Sequence, residues 1–176
     1  MEGFFKIGSL ALKGRVIAAP MAGISDAACR YIASKMGAAL TVTEMTSAKG
    51  LIRGNRKTLD LTVTHPLARP CAVQLFGYNE SDLGEAARIA QDRGADVVDL
   101  NLGCPVRKII RSGCGGALLK DLKPVQRILA EMRKRISVPL TIKMRAGLNK
   151  SSPAAVGLAK MAEGEGVDVL AFRMCL

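Results

Sequence analysis

Three times along this chain a glycine is followed, within three residues, by the start of an apolar run: Gly37-Ala-Ala-Leu40, Gly94-Ala-Asp-Val97 and Gly166-Val-Asp-Val169. Each glycine closes a stretch whose apolar residues recur at helical spacing, so the repeat marks a passage from helix into strand. Strands joined in this way lie parallel, because a helix carries the chain back before the next strand begins. The pattern predicts strands at 16–20, 40–44, 71–76, 97–101, 140–144 and 167–172. Ser25 or Asp26 caps a first helix with Cys29, Ile32, Ala33 and Met36 as its apolar stripe, and a short helix follows at 47–52. Later helices carry Leu83, Ala86, Ala87 and Ala90, then Val125, Ile128, Leu129 and Met132 after Pro124. Ser152-Pro153 opens a last one with Ala155, Leu158, Ala159 and Ala162. An open doubly wound sheet and a barrel both satisfy this alternation. The absence of GxGxxG between the first strand and its helix weighs against a dinucleotide-binding unit.

Within this frame, residues 99–105 (Asp-Leu-Asn-Leu-Gly-Cys-Pro) run a buried strand into an abrupt turn. A thiol held just past the C-terminal end of a strand lies where βα proteins place their chemistry, which makes Cys104 the candidate reactive residue. The alternative is a small buried cysteine in a turn. Other polar residues fall at strand ends: Pro20-Met21-Ala22 with its backbone groups, Glu44, Gln74, Asn101, Lys143 and Arg145. The amides of Gln74 and Asn101 both donate and accept, as a planar heterocycle requires. Lys143 interrupts an apolar strand, so its charge needs an anion, a cavity or a path to solvent. Glu44 is equally suited to orienting a loop and to acid–base work. His65 sits in a Thr-His-Pro turn and reads as solvated.

A hydrophobic content of 49% over 176 residues supports one globular domain. Lys6, Lys13 and Arg15 break any N-terminal signal-like segment, and no apolar run is long enough to cross a bilayer. Five cysteines without CxxC spacing suggest neither a disulfide framework nor a metal site, so a reducing cytoplasm is the expected location. The net charge of +11 makes a polyanionic partner plausible. Basic residues gather at Lys49, Arg53, Arg56 and Lys57, and at Arg107, Lys108 and Arg111 just after Cys104. Arg133, Lys134 and Arg135 read instead as the solvated end of a helix. At 3% aromatic content the chain lacks the stacking platform of single-strand binders.

Six segments, in order, carry a family resemblance: Ala19-Pro-Met-Ala-Gly-Ile-Ser-Asp26, Thr43-Glu-Met-Thr-Ser-Ala48, Val73-Gln-Leu-Phe-Gly77, Asp99-Leu-Asn-Leu-Gly-Cys-Pro105, Ser112-Gly-Cys-Gly-Gly-Ala-Leu-Leu119 and Thr141-Ile-Lys-Met-Arg-Ala-Gly147. Together they resemble the tRNA-dihydrouridine synthases over nearly the whole chain. The resemblance implies an α/β fold, a TIM-type barrel that is incomplete at about six of eight βα units. It implies reduction of the uridine C5–C6 double bond in tRNA by FMN, with NADPH as reductant. Cys104 would then protonate C5, which suits a thiol because thiols, with an ordinary pKa near about 8.5, stay protonated at neutral pH. Pro20, Met21 and Ala22 would present backbone to the flavin, Gln74 and Lys143 would bind its polar edge, and Asn101 and Arg145 would hold the uracil. The 107–119 segment matches a mobile loop that carries the cysteine over its substrate. Basic residues around the mouth would hold the tRNA backbone.

Two departures shape the expectation. Arg173 stands where the family has a flavin-binding histidine, and the last two βα units and a helical tRNA-binding domain are not in the sequence. The first and last strands are therefore expected to be bare edges, the FMN phosphate to lack its usual anchor, and the isolated chain to be inactive. Two other readings fit the same residues: an FMN barrel acting on a free pyrimidine, such as a dihydroorotate dehydrogenase, or a non-catalytic RNA-binding fragment.

Overall fold

The computed structural model describes residues 5–145 and 155–173. An antiparallel hairpin, β1 (Phe5–Ile7) and β2 (Leu10–Leu12), precedes the main sheet. Next come β3 (Ile17–Ala18), α1 (Ala27–Lys35), β4 (Leu40–Val42), β5 (Thr46–Ser47), α2 (Ala48–Ile52) and α3 (Arg56–Leu61). They are followed by β6 (Cys71–Phe76), α4 (Glu80–Asp92), β7 (Val97–Leu102) and α5 (Arg107–Arg111). A 3-10 turn at Gly115–Lys120 leads into α6 (Leu122–Arg135), β8 (Leu140–Arg145), α7 (Ala155–Gly164) and β9 (Val169–Arg173). The sheet is parallel throughout, in the order β3-β4-β6-β7-β8-β9, with β5 paired to the end of β6. This is the incomplete (β/α) barrel that the resemblance implies and that the alternation, which also fits an open doubly wound sheet, allows. Each of the six predicted strands is present, with ends shifted by up to two residues.

Alternate residues of each strand serve two cores. Val73, Leu75, Val98, Leu100, Ile142 and Met144 point outward to Leu83, Ala86, Ala87, Ile128, Leu129 and Met132 on α4 and α6. Alanines on α4 let it lie close to both the sheet and α6. The inner face is closed at the strand starts by the hairpin, where Ile7 and Leu12 pack on Leu40, Val42, Ala72 and Val97. The sequence reading missed this hairpin because three-residue strands give too little alternation to register. The aspartates of the repeat explain why it recurs. Asp96 accepts the Cys71 N–H at 2.8 Å and Asp168 accepts the Leu140 N–H at 2.9 Å, so each link ties a new strand to the start of its neighbour.

Several local expectations differ from the structure. Ile32 and Met36 are 61% and 84% exposed, whereas Arg30 of the same helix is buried. Helix α1 lies near the end of the sheet against β4, with Cys29 and Ala33 half-buried and the rest of its stripe left largely to solvent. Arg30 instead donates to the carbonyls of Ser25 and Val63. The Arg133–Arg135 cluster is not simply solvated. Arg133 donates to the Ile136 and Val138 carbonyls and pairs with Asp168, and Arg135 bridges Glu131 and Glu85. The helix opening assigned to Ser152-Pro153 lies outside the described residues. Among the described residues β3 and β9 end the sheet, with Ile17 39% and Phe172 46% exposed.

Candidate functional site

The strand register places the polar residues in tiers. Gln74 lies opposite Asp99, and Asp99 opposite Thr141. One step nearer the C-terminal ends, Asn101 lies opposite Lys143 and Lys143 opposite Ala171; Arg145 and Arg173 follow. The three lower residues, Gln74, Asp99 and Thr141, face the inner side, because they alternate with the outward core residues. A cavity of about 170 Å³ opens beside them, lined by Ile17, Ala19, Pro20, Asp99, Lys143 and Ala171 among others.

Beneath the rim runs a continuous line of hydrogen bonds. Thr141 Oγ1 donates to Asp99 Oδ1 at 2.6 Å, and Gln74 Nε2 donates to Asp99 Oδ2 at 2.7 Å. Asn101 Nδ2 donates to Gln74 Oε1 at 2.9 Å. Asn101 Oδ1 then accepts the N–H groups of Gly103 at 3.2 Å and Cys104 at 3.0 Å. Asp99 is buried, and burial pushes its carboxyl up from the usual 3.8 to about 6; hydrogen bonds from Thr141 and Gln74, and then the Lys143 charge, pull the other way. Lys143 makes no hydrogen bond or ion pair to the described residues, so its ammonium remains available to a ligand in the cavity.

Cys104 is 7% exposed and sits at the top of this line. Its carbonyl accepts the Gly116 N–H at 3.2 Å. A side chain at Gly115, where φ is +59°, would approach the Cys104 Cβ to 3.0 Å. The 107–119 segment is thus mostly helical, α5 plus the 3-10 turn, with Leu118 and Leu119 in the outer core, rather than the open glycine-rich loop read from sequence. Exposed Arg107, Lys108 and Arg111 lie on α5, directly after the cysteine.

On the other side of the mouth, Pro20 lines the cavity, while Met21 and Ala22 are exposed on the turn that follows β3. That turn is held at two points. The Met21 N–H donates to Ser25 Oγ at 2.7 Å, and the Gly23 N–H donates to Glu44 Oε2 at 2.6 Å. Glu44 therefore orients a loop. Exposed His65 uses Nδ1 to accept the Leu67 N–H and stays away from the mouth. The structure brings Gln74, Asn101 and the Cys104 backbone together beside Lys143; of the candidate residues Pro20 and Lys143 line the cavity, whereas Met21, Ala22, Gln74, Asn101, Cys104 and Arg145 do not. Sequence reasoning left Asp99 out of the candidate set, although a carboxylate inside the run Val97-Val-Asp-Leu100 was a visible signal.

Comparison with known proteins agrees with this architecture. A tRNA-dihydrouridine synthase B of Pasteurella multocida is 38% identical over 165 residues, covering 94% of this chain and 50% of the relative. A probable tRNA-dihydrouridine synthase of Rickettsia bellii is 34% identical, covering 94% and 51%. The chain therefore spans about half the length of the curated relatives it matches. The solved structure of morphinone reductase in complex with tetrahydroNAD superposes with a TM-score of 0.63 at 15% identity, over 97% of this chain and 72% of the other, a likeness of fold. The family model described as dihydrouridine synthase matches residues 16–172, and the chain belongs to that family.

Proposed function

We propose that this chain forms the flavin- and uracil-facing part of a tRNA-dihydrouridine synthase, acting in the cytoplasm on uridine in tRNA. The observation that carries the reading is the hydrogen-bonded line from Asp99 through Gln74 and Asn101 to the Cys104 backbone, beside a cavity into which Lys143 projects its charge. The residues present fit an isoalloxazine ring. Ile17, Ala19, Pro20 and Ala171 offer an apolar wall and Lys143 offers a donor for a polar edge, while Gln74 stands behind the lining, bonded to Asp99. Bound there, FMN reduced by NADPH would supply the hydride that adds to C6 of the uracil.

The chain's own residues account for the remaining work. The Lys143 ammonium would stabilise negative charge on the ring edge, and the turn carrying Pro20, Met21 and Ala22, held in place by Ser25 and Glu44, would offer its backbone to the ring. Asn101 and Arg145 orient the uracil, and the Cys104 thiol gives its proton to C5. Arg107, Lys108 and Arg111, exposed on α5, neutralise tRNA phosphates beside the mouth. A uracil inside folded tRNA must leave its stack to reach this depth, and a basic rim favours that step by holding the backbone on either side.

The test combines two assays. The chain, alone and supplemented with the C-terminal half of the Pasteurella multocida relative, is incubated with FMN, NADPH and unmodified tRNA, and dihydrouridine is scored by its mass gain of two hydrogens. The expected result is product in the supplemented reaction, lost on Cys104→Ala while FMN binding is unchanged. Full product formation by Cys104→Ala would overturn the assignment. Reduction of free uridine or orotate in preference to tRNA would overturn the substrate.

A further inference from the structure

We propose that Asp99 is a positioning residue for Cys104: its carboxylate sets the direction of the amide chain, and so decides which atom Asn101 turns toward the Gly103–Cys104 backbone. The proposal rests on the reading of Cys104 as proton donor and explains how that residue is held in register.

The argument is one of donors and acceptors. An amide side chain has two faces of similar shape, one donating and one accepting, and either of two orientations fits the same space. Gln74 and Asn101 stand in series, so each could be turned over if both turned together. An ionised carboxylate has no proton to give. Against Asp99, Gln74 must therefore present Nε2, as observed at 2.7 Å. Its Oε1 then faces Asn101, which must present Nδ2, as observed at 2.9 Å. What remains for the loop is Asn101 Oδ1, the atom that accepts two consecutive backbone N–H groups. With the chain reversed, Asn101 would point Nδ2 at those two donors, and the turn that begins at Gly103 would lose its anchor.

Protonating Asp99 removes the constraint at one end, because a carboxylic acid can donate to Gln74 Oε1 as well as accept from Nε2. The charged group facing Asp99 is Lys143 on β8; its other polar neighbours, Gln74 on β6 and Thr141 on β8, are neutral, and the rest of the cavity lining is apolar. Thr141 adds a second reason for the ionised form at neutral pH, since its hydroxyl donates to the other carboxylate oxygen at 2.6 Å. A carboxylate kept buried among apolar strands is costly, and such groups concentrate where chemistry requires them.

The test needs neither flavin nor RNA, so its failure is separable from failure of the catalytic reading. Amide proton shifts of Gly103 and Cys104 are followed by NMR in the 176-residue chain from pH 8 to pH 4.5. Both are expected to move together, with a midpoint near pH 6. In Gln74→Met the link is cut: Asp99 still titrates by its own carboxyl carbon signal, and the two amides stay flat. In Thr141→Val the midpoint moves to higher pH, because the ionised form has lost a donor. Asp99→Asn abolishes the titration. Wild-type amides that do not respond, or that still respond in Gln74→Met, would overturn the proposal; the wild-type titration decides the matter even if a variant does not fold.

Discussion

Removing the Asn101 side chain tests the polar line where it meets the backbone. In Asn101→Ala three hydrogen bonds disappear: those accepted from the Gly103 and Cys104 N–H groups and that donated to Gln74 Oε1. The Cys104 N–H is buried, so leaving it without a partner costs about 1–3 kcal/mol. Gln74 Oε1 belongs to a fully buried side chain and costs a similar amount. The Gly103 N–H is only part-buried, a loss worth roughly 0.5–1.5 kcal/mol. The expected total is at least about 3 kcal/mol. Urea unfolding at pH 7.5, with a slope of about 2 kcal/mol per molar for a chain of this size, turns that into a midpoint lower by roughly 1.5 M. Hydrogen exchange at the Cys104 amide should accelerate in parallel. A midpoint within about 0.5 M of wild type, with unchanged exchange, would show that Asn101 does not carry the turn.

Other expectations follow from the same geometry. Asp99 binds its proton more tightly in the folded than in the unfolded chain, so this group makes stability fall as pH rises from about 4 to about 6 and level off above 7; the gap between 3.8 and about 6 corresponds to about 3 kcal/mol. Comparing urea midpoints of wild type and Asp99→Asn at pH 4.5 and 7.5 isolates it, and equal pH dependence in both would refute it. Gly115→Ala combines a φ of +59° with a 3.0 Å approach to Cys104, whereas Gly54→Ala has a φ of +65° and open space. The first should therefore be less stable than the second by roughly 1–2 kcal/mol in the same urea assay, and equal losses would contradict the crowding. Replacing Arg107, Lys108 and Arg111 by Ala should lower the slope of log affinity for tRNA against log salt by about 2–3. Replacing Arg133 and Arg135 should leave that slope unchanged and lower stability instead, because their guanidiniums are committed to carbonyls and carboxylates.

The central strands were readable because they are buried on both faces and so stand out as largely apolar runs, as in residues 71–76 and 97–102. The residues of the mouth were readable for the opposite reason: Gln74, Asn101 and Lys143 interrupt those runs. Asp99 interrupts one too, yet its role depends on partners 25 and 42 positions away, Gln74 and Thr141, which only the sheet register brings together. The stripe of α1 misled because period alone identifies an apolar face without saying whether anything lies against it. Ile32 and Met36 stay largely exposed, and Arg30 takes the inward position through two carbonyls that no local pattern announces. The 107–119 segment read as loop because its glycines are frequent. In the structure Gly113 and Gly115 take positive φ, and the 3-10 turn that Gly115 begins buries Leu118 and Leu119.

Fluorescence titration of the chain with FMN, and with lumiflavin as the ring lacking ribityl phosphate, addresses the mouth itself. On the proposed reading the ring would meet Lys143 and the wall around Pro20, so both compounds should bind, with affinities within about threefold of each other. Lys143→Met should weaken both by about 10-fold or more, as expected for loss of a charge-assisted hydrogen bond, and Cys104→Ala should change neither. If neither compound binds, or if Lys143→Met binds as tightly as wild type, the cavity at these strand ends is not where the ring resides.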